Sequence, residues 1–399
     1  MLAAPAIEGI HSGGLLWHAS SVSERNPLRK VFFSRFGGAH PCRWLTARAA
    51  GMLFIAAAVG VFPLGGCYYM QAIKGHTRLM SQRRPMAEVI SDPASSESLK
   101  ERLKLVQAAR RFSVEAMKLP DNDSYRSYAD LGRDYVVWNV FAAPEFSLEP
   151  KEWCYLVAGC AAYRGYFHKE DARKEAHKLE EDGFDVTVAG VSAYSTLGKF
   201  ADPVLNTMMR WSDADLVATL FHELAHQKLY VKGDTQFNES FATAVADIGM
   251  ERWFTTRGEL SALEEYRDMK ALRASLLDIV DAAKAKLAVV YDSDVGVEEK
   301  RRRKRDILDA LSADADRLFA QTGVGASPLA APLNNARLVS LGLYESWAPA
   351  FKSMFAECGE RLDCFYERAG KVAALPPDER SARLALLSMR PEQVARTPD

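Results

Sequence analysis

Two histidines four residues apart, with a glutamate directly after the first, stand at His222, Glu223 and His226. On an α-helix positions i and i+4 lie one above the other, so both imidazoles can present nitrogens to one Zn²⁺ ion. Glu223 then sits beside the open coordination position, where a carboxylate can take a proton from water and pass it to a leaving amine. The surrounding DADLVATLFHELAHQKLYV is amphipathic, so a helix is expected over 213–231. The chain has only eight histidines among 399 residues, which makes chance a weak rival for this spacing.

A catalytic zinc needs a third protein ligand. Asn238-Glu239-Ser240-Phe241-Ala242 opens a second expected helix over 238–257 and offers Glu239. The connection must turn within 232–236, at Gly233-Asp234, which leaves Asp234 as a rival ligand. Glu239 is preferred, because a helix-borne carboxylate facing the first helix makes a more rigid site. Thr243 and Asp247 follow Glu239 on the same helix face and could accept from a ligand imidazole, with capping or exposure as the plain alternative. His76, His168 and His177 have no ligand-spaced neighbour and read as surface residues.

The elements that hold this pair of helices are legible in outline. Composition, at 48% hydrophobic and 26% charged, is that of a globular protein and excludes collagen-like or disordered classes. A net charge of −1 removes any global electrostatic case for nucleic acid. Helices are expected over 98–118, 128–141 and 169–182, with short strands over 153–157, 163–167 and 184–188. From 258 to about 320 the chain is heptad-like and charged. Its basic run 300–305 reads as a solvated helix face or a helix-helix turn. The expected class is α+β, predominantly α-helical, with one small mixed β-sheet and added C-terminal helices.

The N-terminus reads as an export signal. An apolar run from Met52 to Gly66 is too short to span a bilayer comfortably and matches a signal-peptide core, with Arg43 and Arg48 upstream. Leu64-Gly65-Gly66-Cys67 resembles a bacterial lipobox, which implies cleavage before Cys67, its diacylation and anchorage to a membrane. Residues 1–66 are then a signal segment behind a non-native extension, with the true start downstream of Met1. Residues 67–98 form the lipidated cysteine and a linker, 99–375 the catalytic domain and 376–399 a polar tail. Tyr68 and Tyr69, in place of an aspartate after the cysteine, point to the outer membrane. Cys154/Cys160 and Cys358/Cys364 share a CxxxxxC spacing, too open for zinc knuckles. In an oxidising periplasm they read as two local disulfides, with turns at Gly159 and Gly359 and unpaired thiols as the alternative.

The HExxH helix followed by an Asn-Glu helix resembles the gluzincin metallopeptidases, although the connection is shorter than usual there. FHELAHQKLYVKGDTQFNESFATAVADIG, the lipobox with YYMQAIKGH, AGCAAYRGYF, AYSTLGKFADPVLNTM and PLNNARLVSLGLYESWAPAF together resemble a bacterial family of predicted zinc-dependent aminopeptidase lipoproteins. The resemblance implies a zincin-like core, one Zn²⁺ and a peptide substrate. By analogy with zincins, an extended strand over 191–197 would pair with substrate, with Tyr194 and Ser195 edging the cleft. Tyr344 is the candidate oxyanion donor, with Asn334, Asn335 and Arg337 as alternatives for substrate termini and packing as the plainer role of each. Asp202, Asp213 and Asp234 are the nominees to bind a free α-amine, which would separate an aminopeptidase from an endopeptidase. The competing class is a binding or scaffold lipoprotein stabilised by a closed, non-catalytic zinc site.

Overall fold

The computed structural model of the chain describes residues 63–155, 159–329, 332–342 and 347–388. Arg43, Arg48, most of the apolar run from Met52, the oxyanion candidate Tyr344 and the tail beyond 388 lie outside the described residues. The first element is helix α1 (Pro63–Ser81), which runs through Cys67. Strand β1 (Arg83–Pro85) and helix α2 (Met86–Ser91) follow. Residues 67–98 are not a free linker. Tyr68 packs with Val140, Trp153 and Tyr166, and Leu79, Met86 and Val89 enter the main core. Helix α3 (Glu97–Glu115) starts where Ser96 accepts the Leu99 N–H at 3.2 Å.

The expected helix over 128–141 is replaced by strands β2 (Ser127–Ala129) and β3 (Val137–Pro144). Gly132, at φ +61°, turns the chain between them. Strand β3 is central in an antiparallel sheet ordered β6 (Arg164–Tyr166), β3, β7 (Phe184–Val191). Both α4 (Lys169–Glu181) and α9 (Asn335–Gly342) pack on it. A strand covered on two faces is a nearly continuous apolar run, broken here only by Asn139, and periodicity cannot separate that from a buried helix.

In place of one mixed sheet there are three small ones among the described residues. The second joins β1 antiparallel to β2 and β2 parallel to β8 (Val204–Leu205). The third is the hairpin of β4 (Trp153–Tyr155) and β5 (Gly159–Ala161). Cys154 faces Cys160 across that hairpin and is bonded to it, with Gly159 inside the strand rather than at the turn. Cys358 is bonded to Cys364 between α10 (Ala348–Glu357) and α11 (Leu362–Ala373), where Gly359 at φ +61° makes the expected turn.

The helical half contains α5 (Asp213–Lys228), α6 (Thr235–Arg257), α7 (Leu260–Asp292), α8 (Val297–Thr322) and α12 (Pro377–Ser388). Helices α7 and α8 pair around their own apolar cluster. The basic run lies in α8: Arg301 pairs with Glu145, Arg302 and Arg303 with Glu299, and Lys304 with Asp185. Among the described residues no helix is long and apolar enough to cross a membrane. From Phe237 to Met250 every residue of α6 is buried, which makes it the axis of the core.

Helix α6 lies against α5 closely enough that a Cβ on Gly249 would stand 2.6 Å from the Phe221 ring. Gly249→Ala gains about 1 kcal/mol of helix propensity. Phe221 is fully buried and its ring has nowhere to swing, so overpacking of about 1–3 kcal/mol prevails. The denaturant midpoint of this variant is expected to fall. A midpoint at or above that of the parent would show that the helices do not depend on this close approach.

Candidate metal centre

Helix α5 begins at Ser212, whose hydroxyl accepts the Asp215 N–H at 3.0 Å, and the motif occupies its last two turns. After it, Lys232-Gly233 turns the chain with Gly233 at φ +81°. Asp234 caps α6 by accepting the Phe237 N–H at 2.9 Å, so the helix starts about a turn before the expected Asn238. Asn238 clamps the connection. Its Oδ1 accepts the Val231 N–H and its Nδ2 donates to the Val231 carbonyl, both at 2.7 Å. Arg380 of α12 donates to Asp234 at 2.7 Å and to the carbonyls of Ala373 and Leu375, which ties the C-terminal helices to this corner.

These restraints place Glu239 against the motif. His222 Nε2 stands 3.1 Å from Glu239 Oε2 and 3.1 Å from His226 Nε2, and His226 Nε2 stands 3.6 Å from Glu239 Oε2. The three groups form one cluster whose donor atoms all lie within 4.8 Å of one another. His226 and Glu239 are buried, whereas the His222 side chain keeps 17% exposure, so the cluster opens at that side. Glu152, Cys154 and Cys160 also lie together, but both sulfurs are consumed by the disulfide.

Burial opposes charge at Glu239, yet the two imidazoles outweigh it and hold the carboxyl well below the usual range. Burial likewise opposes charge on His226, and the Glu239 carboxylate overcomes it and raises the imidazole. Glu223 is pushed up by burial, with His222 and His226 pulling the other way, and its Oε2 has no hydrogen-bond partner. His226 Nδ1 is also buried without a partner. A buried carboxylate with a free oxygen beside three converging donors is suited to handling a proton.

The other sequence candidates separate. Ser195 is buried against Glu223 and the phenol of Tyr125, and the Tyr194 hydroxyl meets His76 Nδ1 at 3.0 Å. His76 is thus a partly buried partner rather than a surface residue, while His168 and His177 are exposed. The expected strand over 191–197 ends at Val191. Beyond it the chain leaves the strand: the Ser192 carbonyl accepts from Thr207 and the Thr196 N–H donates to Asp202. Asp247 does not meet an imidazole; Lys270, Lys352 and Tyr266 hold it at 3.1, 2.5 and 3.0 Å. Thr243 is buried on the same helix.

Asn334 donates to the Val186 carbonyl, Asn335 to those of Pro144 and Glu145, and Arg337 to that of Pro328. All three therefore brace the sheet and its neighbouring loops. Asp213 pairs with Arg102 and Asp234 with Arg380, whereas Asp202 is fully buried near Glu223. Sequence reasoning missed Asn238 as a clamp, although it adjoins the expected ligand. It also missed Tyr125, which no motif announces, and Tyr230, whose ring lies 6.3 Å from that of His226.

Asn238→Ala leaves the Val231 N–H and carbonyl unpaired and frees the start of α6. Metal affinity measured by chelator competition is expected to fall about 10–100-fold, and unchanged affinity would remove Asn238 from the account. Asp202 gives a pH test. Burial raises its carboxyl from 3.8 to about 7, against the Thr196 N–H and hydroxyl. A group raised on folding contributes stability that is complete below its unfolded value and declines as pH rises to the folded one. Stability should therefore fall between pH 3.8 and about 7, and Asp202→Asn should flatten that slope. The same slope in both proteins would assign it elsewhere.

Comparison with protein families finds a match to a family described as "Putative aminopeptidase", whose model covers residues 67–384. Neither the curated proteins nor the solved structures gave a match. The matched stretch contains both motif helices, both disulfides and all but the first four residues of α1. The chain belongs to this aminopeptidase family.

Proposed function

We propose that the chain is a zinc-dependent aminopeptidase with a zincin-like core, held at the periplasmic face of a bacterial outer membrane by diacylated Cys67. One observation carries the peptidase reading: two imidazole nitrogens and a carboxylate oxygen converge beside the buried, partly unpartnered Glu223. The donor set fits zinc. Two ring nitrogens facing each other at 3.1 Å need a shared cation or proton between them, and a carboxylate completes the usual three-ligand catalytic set. Among the described residues no fourth side chain joins the cluster, which leaves a position for substrate or water. A closed structural site would have no use for Glu223, so this arrangement favours catalysis over a scaffold role.

When bound, zinc supplies a Lewis acid that polarises the scissile carbonyl and acidifies water. The chain's own contributions follow from the geometry. Glu223 takes the proton from the attacking water and returns it to the leaving amine, and its raised affinity for protons suits both transfers. His222, on the exposed side of the cluster, borders the approach for a peptide. Tyr230, partly exposed with its ring 6.3 Å from that of His226, would donate to a developing oxyanion. The preference for free amino termini rests on the family.

Glu223→Gln is expected to keep zinc at full stoichiometry while turnover of amino-acid amides falls about 10²–10⁴-fold. Loss of metal in that variant, or unchanged turnover, would overturn the role given to Glu223. Peptides with a blocked amino terminus should resist cleavage, and their equal hydrolysis would make the enzyme an endopeptidase.

A further inference from the structure

Large exposed apolar side chains are few among the described residues, and three of them sit together. Met70 and Ile73, each more than half exposed, lie one turn apart on α1, and Phe200 packs its ring 4.7 Å from His76, one further turn along. Scattered single exposures are normal on a soluble protein, whereas a contiguous stripe marks a contact surface. The opposite face of α1 is committed to the core through Tyr68, Ala72 and Leu79, so the helix cannot roll to hide the stripe. The loop that carries Phe200 is also fixed, because Arg83 donates to the Ala201 carbonyl at 2.9 Å.

Along the chain the charges next to the stripe have one sign, although Arg84 is paired with Asp92 at 2.9 Å. From Cys67 to Ala87 the chain carries Lys74, Arg78, Arg83 and Arg84 and no acidic residue, and Lys199 adjoins Phe200. Lys74 and Arg78 are exposed on the same side of α1 as Met70 and Ile73. Apolar side chains flanked by lysine and arginine suit the interface of an anionic bilayer, where the former enter the acyl boundary and the latter meet phosphates. Cys67 stands one turn before Met70, and Tyr68, its neighbour, is already part of the domain.

We propose that the exposed stripe Met70, Ile73 and Phe200, with Lys74 and Arg78, lies on the surface of an anionic phospholipid bilayer and fixes the orientation of the domain there. The orientation, as distinct from the lipid contact of these side chains, rests on the lipidation proposed for Cys67. No flexible tether separates that cysteine from the folded body. The same loop leads from Phe200 back to Ser195, which is packed against Glu223, so the catalytic cluster is held at a fixed height above the lipid.

The test uses the mature protein reconstituted in vesicles containing phosphatidylglycerol, with a fluorophore placed through Ile73→Cys or, as a control, at the still more exposed Val289 through Val289→Cys. Nitroxide-bearing lipids should quench the probe at 73 several-fold more than that at 289. Adding Lys74→Glu and Arg78→Glu should abolish the difference. Acyl labelling of Cys67 is followed in parallel. Labelled Cys67 with equal quenching at both positions would keep the anchor and overturn the surface. Unlabelled Cys67 with strong quenching at 73 would keep the surface and overturn the anchor. Protection of the probe at 73 on concentrating the protein without lipid would assign the stripe to a second copy of the chain and overturn the proposal.

Discussion

The structure depends on the close crossing of α5 and α6. One helix carries both histidines and Glu223, the other carries Glu239, and the cluster exists only where the two cross. The absence of a side chain at Gly249 lets the Phe221 ring press into the partner helix, and in the same crossing His222 Nε2 stands 3.1 Å from Glu239 Oε2. The connection between the helices is short, and Asn238, Asp234 and Arg380 use its polar groups to fix the angle at which the second helix departs. Burial of every residue from Phe237 to Met250 then locks that angle into the core. The site is a consequence of packing first and of coordination second.

The motif residues were legible because their chemistry is local: spacing on one helix dictates their geometry. Glu239 was legible for a related reason, since a turn dipeptide and a new helix bring it back toward the first. The helix boundaries around 169–181, 213–228 and 235–257 came within a turn of expectation, where amphipathic pattern or caps are strong. Strand β3 was misread as helix because both of its faces are covered, which erases the alternation that marks a strand. Asp247 was assigned to the wrong neighbourhood. Helix spacing placed it two turns beyond Glu239, but α7 and α10 supply Lys270 and Lys352 on that side and claim it. Contacts between distant elements, such as Arg380 with Asp234, left no trace in local sequence.

The N-terminal segment changes the meaning of the whole. A linker would have let the catalytic body move freely at the end of a lipid anchor. Residues 68–91 instead supply strand β1 and core side chains at Leu79, Met86 and Val89. Tyr68 sits under the Arg164 guanidinium, 4.3 Å from it, so the chain is structured from the residue after the proposed lipid site. The short disulfides serve the same end on a smaller scale, pinning a two-strand hairpin and the α10–α11 corner.

The central claim is that His222, His226 and Glu239 hold one catalytic zinc ion. X-ray absorption on the zinc-loaded protein tests it most directly, because it reads the identity and number of the coordinating atoms. Two imidazole nitrogens and one carboxylate group are expected, with the remaining position taken by a light atom that inhibitor displaces. A sulfur shell, four protein ligands or failure to load zinc stoichiometrically would contradict it.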